Sequence, residues 1–207
     1  CFVGSLALPV GMWAGILVIP WGFVGGLSGL LGLSRCLARG GRRIEEWAVD
    51  AALGYLPIGC VWLLAYRWGF PLLGYYPEMV LLTAVHFHFA GFAAALVAGI
   101  TGRCVRFHSP SSSFALRTSI VLVMLGPPLV AAGILWSMWL EAICGVLLAM
   151  GMLGLSFWMF VAAIRWVRQT ISRTLLSIAA LSLVVSMALA VLYALREWIV
   201  VEGLNIP

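Results

Sequence analysis

Two histidines stand two residues apart in an apolar stretch, His86 and His88 within residues 82–92. An imidazole can bind a metal, carry a proton near neutral pH or hydrogen-bond through either ring nitrogen. Residues two apart on an α-helix point about 200° apart, because each residue turns about 100°. The pair therefore cannot chelate one ion together, which would need the four-residue spacing of a HExxH helix. We expect no metal and no cofactor, and we expect each ring to meet a different neighbouring helix.

Polar groups close to the histidines define the candidate site. Thr83 lies three residues before His86, within reach of a side-chain hydrogen bond, and Glu78 lies two turns before it. His86, His88, Thr83 and Glu78 are therefore candidates for ligand binding or proton handling. Two other interpretations stay open. The histidines could be neutral rings that hydrogen-bond between helices, or one of them could join distant residues in ligating a metal or haem.

Secondary candidates lie at the ends of the second apolar run. Glu46 and Asp50 are four residues apart on one helical face, where like charges repel unless cations join them. A salt-bridge network with Arg39, Arg42 and Arg43 is therefore expected. At the other end of this run, Arg67 could pair with Glu78 across a short loop. Glu78 could instead stabilise the positive end of its own helix.

The elements that position these residues are membrane-spanning helices. Hydrophobic residues make up 64% of the 207 residues and charged residues 9%, against roughly 45–50% and 25% in soluble domains. Apolar runs long enough to cross a bilayer, which takes roughly 20 residues, cover residues 3–32, 48–69, 79–101, 117–138, 141–164 and 172–200. The predicted fold class is an all-α polytopic transmembrane helix bundle of about six spans, forming one domain over residues 1–207.

The first run is too long for one straight span. Pro20 lies in its middle and is predicted to kink it, since proline removes a backbone hydrogen bond. The alternative is a span plus a re-entrant or interfacial piece. The chain also begins at Cys1 without an initiator methionine, so we expect it to be a fragment of a longer protein.

Arginine sets the orientation. All twelve basic residues are arginine, and ten of them lie on alternate loops: Arg35, Arg39, Arg42, Arg43, Arg103, Arg106, Arg117, Arg165, Arg168 and Arg173. Short basic loops stay in the cytoplasm, which predicts that both termini face outward from a bacterial inner membrane. Arginines in this arrangement orient helices and do not form the clustered basic face of a nucleic-acid binder.

Small residues recur on the histidine-bearing run. Gly91, Ala95 and Gly99 are four residues apart and so share one face. Small side chains let membrane helices approach closely. This face is predicted to pack against another helix.

The segment Pro77–Phe92, which reads PEMVLLTAVHFHFAGF, resembles the signature of the YndJ-like bacterial membrane proteins, typically LTAVHFHYAGF after a tryptophan-containing span. Residues 56–59 (Leu-Pro-Ile-Gly), followed by Trp62 and Arg67, are similar to what precedes that stretch in the family. The resemblance covers about residues 46–103. Phe89 stands where tyrosine is common, which removes one hydroxyl donor. Some automatic labels call members of the family transporters, but the resemblance adds little about mechanism.

Three functions are compatible with these residues. The first is a transporter or a protein that binds a small solute or lipid-like ligand in a polar pocket around the HFHFAG segment. The second is a membrane-embedded enzyme that uses His86 or His88 as acid or base, with Glu78 or Asp50 as partner. The third is a structural or accessory subunit. Six short-looped spans favour a homo-oligomer or a larger membrane assembly, with the lipid bilayer as the constant partner.

The orientation can be tested by cysteine accessibility. Both termini and the loops at 70–77 and 138–141 are predicted to face the periplasm. In a cysteine-free background, a single cysteine at position 74 should react with a membrane-impermeant reagent added outside, and one at position 108 should not. Labelling at 108 but not at 74 would reverse the assignment.

Overall fold

The computed structural model describes residues 2–39, 43–109 and 114–201, and these are almost entirely helical. The α-helices are α1 Phe2–Ala7, α2 Met12–Arg39, α3 Ile44–Trp68, α4 Pro77–His86, α5 Ala94–His108, α6 Phe114–Trp136, α7 Met138–Arg165 and α8 Thr170–Val201. A π-helical segment, Phe87–Ala93, joins α4 to α5, and a short 3₁₀ turn at Leu72–Gly74 precedes α4.

Six helices in the described part of the chain are long and apolar enough to cross a membrane. They are α2, α3, the continuous helix Pro77–His108, α6, α7 and α8. The predicted all-α bundle of six spans is confirmed. One end of this bundle carries Arg39, Arg43, Arg106 and Arg165 at helix ends, and we call it the arginine-rich end.

The first span differs from its expected form. The helical run breaks at residues 8–11, which separates the short helix α1 from α2. Pro9 disfavours helical geometry at the residue before it, and Gly11 has φ of 152°, a conformation that side chains rarely adopt. The run is thus a short helix followed by a span, and the re-entrant or interfacial character of the extra piece stays a prediction. Helix α2 stays helical through Pro20, and the predicted kink there stays a prediction.

Helix α3 lies at the centre of the bundle, in contact with α2, α4, the π segment, α5 and α6. A second group follows, in which α6 packs against α7 and α7 against α8. The two groups share one core along α5, α6 and α7. Its most buried members include Val105, Ile120, Val123 and Leu155.

Two of the prolines inside the spans leave a backbone carbonyl to which a neighbouring helix donates a hydrogen bond. Pro128 has no N–H to offer the carbonyl of Met124, four residues earlier, and the Tyr55 hydroxyl of α3 donates to that oxygen at 2.6 Å. Pro57 likewise leaves the carbonyl of Leu53, which accepts from Ser28 of α2 at 3.4 Å. These contacts tie α2 to α3 and α3 to α6.

The small face of the third span lies against α3. A Cβ placed on Gly91 would lie 3.0 Å from the Cβ of Tyr55, and Ala95 is fully buried. A Cβ on Gly99 would lie 2.6 Å from Val49 Cγ2 and 2.7 Å from the Glu45 carbonyl oxygen. Only hydrogen fits at Gly99 without movement of the α3 backbone.

We expect Gly99→Ala to lower the free energy of unfolding by roughly 1–3 kcal/mol, the usual cost of overpacking. Gly145 of α7 is the matched control, because a Cβ there meets nothing within 4 Å. Gly145→Ala should be neutral or stabilise by up to about 1 kcal/mol through helix propensity. Thermal melting of both purified variants in detergent makes the comparison. Equal melting temperatures would contradict close packing at Gly99.

Candidate functional site

The histidine stretch is not the regular α-helix on which the spacing argument was based. His86 ends α4, and His88 lies in the π-helical segment Phe87–Ala93. π-Helical turns are rare and occur frequently at functional sites. No residue pattern in the sequence distinguished this segment from α-helix. The two rings still contact different helices, as expected.

His88 is hydrogen-bonded through both ring nitrogens. Nδ1 lies 2.8 Å from the carbonyl oxygen of Ala84, and Nε2 lies 2.9 Å from the indole nitrogen of Trp21 on α2. An indole N–H can only donate and a carbonyl can only accept. The ring is therefore neutral, with its proton on Nδ1.

Helix α3 leaves room for the His88 ring. A Cβ on Gly59 would lie 2.6 Å from His88 Nδ1, so glycine is needed where the ring crosses α3. The thiol of Cys60 lies 3.9 Å from His88 Nε2 and 3.6 Å from the carbonyl oxygen of Trp21. His88 thus joins three elements: α2, α3 and the π segment.

His86 has a looser environment. Its Nε2 lies 3.4 Å from the carbonyl oxygen of Pro127 on α6, and the ring is half-buried. Within the residues that the structure describes, no hydrogen bond reaches its Nδ1. One nitrogen of an imidazole inside a span is therefore available to a ligand or a proton.

The other two primary candidates form no hydrogen bond or ion pair with the histidines in the described part of the chain. The Thr83 hydroxyl donates to the carbonyl oxygen of Met79 at 2.8 Å, within its own helix. Glu78 is exposed in the first turn of α4. Eight residues separate it from His86, about 12 Å along the helix axis. The structure brings neither group into a site with His86.

The expected pair between Arg67 and Glu78 does not form. Arg67 is 6% exposed, and its guanidinium donates to the carbonyl oxygens of Ser5 and Leu8. Carbonyls at a helix C-terminus lack intrahelical donors and carry partial negative charge. They therefore compete successfully with an exposed carboxylate. Arg67 fixes α1 against α3, and its own carbonyl accepts from the N–H of Gly11 at 3.0 Å.

An ion-pair network does form around Glu46 and Asp50, at the arginine-rich end. Asp50 accepts from Arg35 at 2.8 Å. Arg103 of α5 donates to both oxygens of Glu46 at 2.6 Å, and Arg39 also pairs with Glu46. Arg39 was expected as a partner, whereas Arg35 and Arg103 were not named. Arg42 lies outside the described residues.

The ion pair between Glu45 and Arg106 was not predicted from the sequence. Glu45 is 5% exposed and accepts from Arg106 of α5 at 2.9 Å. A signal was present, because Glu45 and Glu46 open one span while Arg103 and Arg106 close another on the same side of the membrane. The network joins α2, α3 and α5 by charge-assisted hydrogen bonds. It lies at the opposite end of α3 from Arg67.

Six apolar spans with polar groups paired between them define a multi-pass membrane-embedded protein. The chain belongs to the YndJ-like protein family, whose family model matches residues 1–207. It is 31% identical over 152 residues to a protein of Bacillus subtilis (strain 168) described as "Uncharacterized membrane protein YndJ". That match covers 73% of this chain and 27% of the relative, so the chain spans about a quarter of the relative's length. No solved structure matches the chain significantly.

The hydrogen bonds of His88 predict its tautomer. In ¹⁵N-histidine-labelled protein at pH 7.5, the His88 ring should give the chemical shifts of a neutral imidazole protonated at Nδ1, because Nε2 accepts from Trp21. The Trp21→Phe variant removes that donor and should shift the Nε2 resonance while leaving the signal of His108 in place. A ring protonated at Nε2 in the unmodified protein would contradict the arrangement.

Proposed function

We propose that this chain is the ligand-binding or transport region of a bacterial inner-membrane protein, and that its ligand is recognised at His86. One observation carries the proposal: among the described residues, no hydrogen-bond partner reaches Nδ1 of this imidazole inside a membrane span. Ionisable side chains in spans are costly and are usually functional. A histidine used only for packing would be expected to pair both nitrogens, as His88 does.

The two histidines therefore have different roles in this proposal. His88 fixes the π segment against α2 through Trp21 and lies against α3 at Gly59. His86 is held beside the Pro127 carbonyl of α6 and offers Nδ1 to the ligand. The rigid neighbour positions the ring that binds, as a preorganised site requires.

The surroundings of His86 favour a ligand with an apolar body and one polar group. Leu82 lies four residues before it and Phe89 three residues after it, and their side chains are 60% and 69% exposed. In a bilayer such apolar surface faces lipid. A lipid-like molecule could lie along it and hydrogen-bond to His86, as could a small solute that enters between α4 and α6.

The alternatives fit the described residues less well. An acid–base enzyme would need a carboxylate near a histidine. Glu78 lies about 12 Å along the axis from His86, and Asp50 is paired with Arg35 at the arginine-rich end. A purely structural role accounts for His88 but leaves His86 Nδ1 unexplained. The 152 matched residues make up only 27% of the family relative, which is therefore about 2.7 times as long as this chain. We also propose that the region works within a larger parent chain or a homo-oligomer.

The test is ligand-induced stabilisation of purified protein in detergent. A panel of small organic cations, carboxylic acids, lysophospholipids and fatty acids would be screened by thermal melting. A ligand at a hundred times its Kd stabilises by about 2.7 kcal/mol, a rise in Tm of roughly 5–10 °C for a chain of this size. Each compound that raises the Tm is then retested on His86→Ala, His88→Ala and the control His108→Ala.

We expect His86→Ala to keep its own Tm within about 2–4 °C of wild type and to lose the response to ligand, because only one long hydrogen bond is removed. His88→Ala should lower stability by roughly 1–3 kcal/mol, since the hydrogen bond that His88 accepts from the Trp21 indole is lost. His108→Ala should respond like the wild type. A compound that stabilises all three variants equally would refute a site at His86, as would a panel without any stabilising compound.

A further inference from the structure

A groove of about 400 Å³ lies between α7 and α8, on a different part of the bundle from the histidines. Its size falls within the range of ligand sites, roughly 300–1,000 Å³. The α7 wall consists of Phe160 and Ile164, and the α8 wall includes Ile178 and Leu181. All four side chains are well exposed. They offer an apolar channel at the level of the membrane span.

The α8 wall becomes polar towards the arginine-rich end of the bundle. Arg173, Thr174 and Ser177 line the groove there, one turn or less from each other on α8. The Thr174 hydroxyl donates to the carbonyl oxygen of Thr170 at 3.0 Å. Arg173 makes no ion pair with a carboxylate of the described residues. A guanidinium and a serine hydroxyl are suitable donors to a phosphate.

The connection between α7 and α8 has an unbalanced charge. Residues 165–173 contain three arginines, Arg165, Arg168 and Arg173, and no acidic residue. The three side chains are exposed. Elsewhere at this end, the arginines of α2 and α5 are paired with Glu45, Glu46 or Asp50. The positive charge beside the groove is therefore available to an anion.

Contacts on both sides fix the shape of the groove. Trp166, at the end of α7, stacks on His108 with ring centroids 5.0 Å apart and an interplanar angle of 11°. One turn before Phe160, the Ser156 hydroxyl donates to the Ala180 carbonyl oxygen of α8 at 2.7 Å. A site whose walls are already held in place loses less free energy on binding.

We infer that this groove binds an anionic phospholipid. Its phosphate lies at Arg173 and Ser177, and an acyl chain follows the apolar walls along Phe160 and Leu181. The combination selects a lipid over a soluble anion, because the exposed apolar walls would stay uncovered beneath a free phosphate. It selects an anionic headgroup over a zwitterionic one, because the nearby arginines offer nothing to pair with a choline or ammonium group. Basic pockets between spans on the cytoplasmic side bind such headgroups in other membrane proteins.

The test compares phosphatidylglycerol with phosphatidylcholine, titrated into detergent-purified protein and read out by native mass spectrometry. Arg173→Gln should weaken phosphatidylglycerol binding about fivefold, the effect of one arginine at a lipid surface. It should weaken phosphatidylcholine binding less, because that headgroup carries no net charge for the arginines to attract. Arg43→Gln is the matched control, because Arg43 is exposed at the same end of the bundle but immediately before α3, away from the groove. It should bind both lipids like the wild type.

Two further arms separate the outcomes. Ser177→Phe fills the groove without removing a charge, and it should lose the preference for phosphatidylglycerol while Arg43→Gln keeps it. Glycerol 1-phosphate, which has the headgroup chemistry without acyl chains, should not compete at equal concentration.

Equal losses in Arg173→Gln and Arg43→Gln would reduce the effect to general surface charge and overturn the site. Competition by glycerol 1-phosphate would overturn the lipid in favour of a soluble anion. Melting without added lipid checks folding, and if Ser177→Phe fails it, Arg173→Gln decides alone.

Discussion

The structure depends on the rule that backbone groups inside a bilayer must find hydrogen bonds within the protein. Helices meet it along most of each span, and the exceptions determine how the helices pack. The carbonyls that Pro57 and Pro128 leave unpaired accept from hydroxyls of neighbouring helices. The end of α1 is satisfied by the guanidinium of Arg67. Several contacts between helices thus supply hydrogen bonds that the helices themselves cannot make at these positions.

The same rule makes the two histidines informative. An unsatisfied buried polar group costs roughly 1–3 kcal/mol. A histidine with only a structural role is therefore expected to have both ring nitrogens hydrogen-bonded. His88 meets that standard through Ala84 and Trp21. His86 does not, and its neighbour on α6 is a carbonyl at the long distance of 3.4 Å. Two residues that look equivalent in the sequence therefore differ in what they leave open to a ligand.

The features of the fold that could be predicted from the sequence are those whose pattern the bilayer itself imposes. Six spans followed from hydropathy alone, as did the family from the residues around His86. The partners of charged residues could not be predicted, because they depend on which helices become neighbours. Arg67 pairs with α1 and not with Glu78, and Glu45 pairs with Arg106, because tertiary packing decides those distances. The π segment was missed because its residues are compatible with α-helix as well. The break at residues 8–11 did leave a signal in Pro9 and Gly11, which the length of the apolar run obscured.

The π segment also changes the phase between the two halves of its span. A turn closed by i→i+5 bonds winds less per residue than one closed by i→i+4, so α4 and α5 do not present faces that a single continuous helix would align. The half towards the arginine-rich end keeps Gly99 against α3, while the other half and the π segment direct the two imidazoles towards α2 and α6. The rotation of each half about its helix axis is thereby set separately. One membrane crossing can be close-packed towards the arginine-rich end and carry two differently partnered imidazoles farther along, with neither requirement dictating the other.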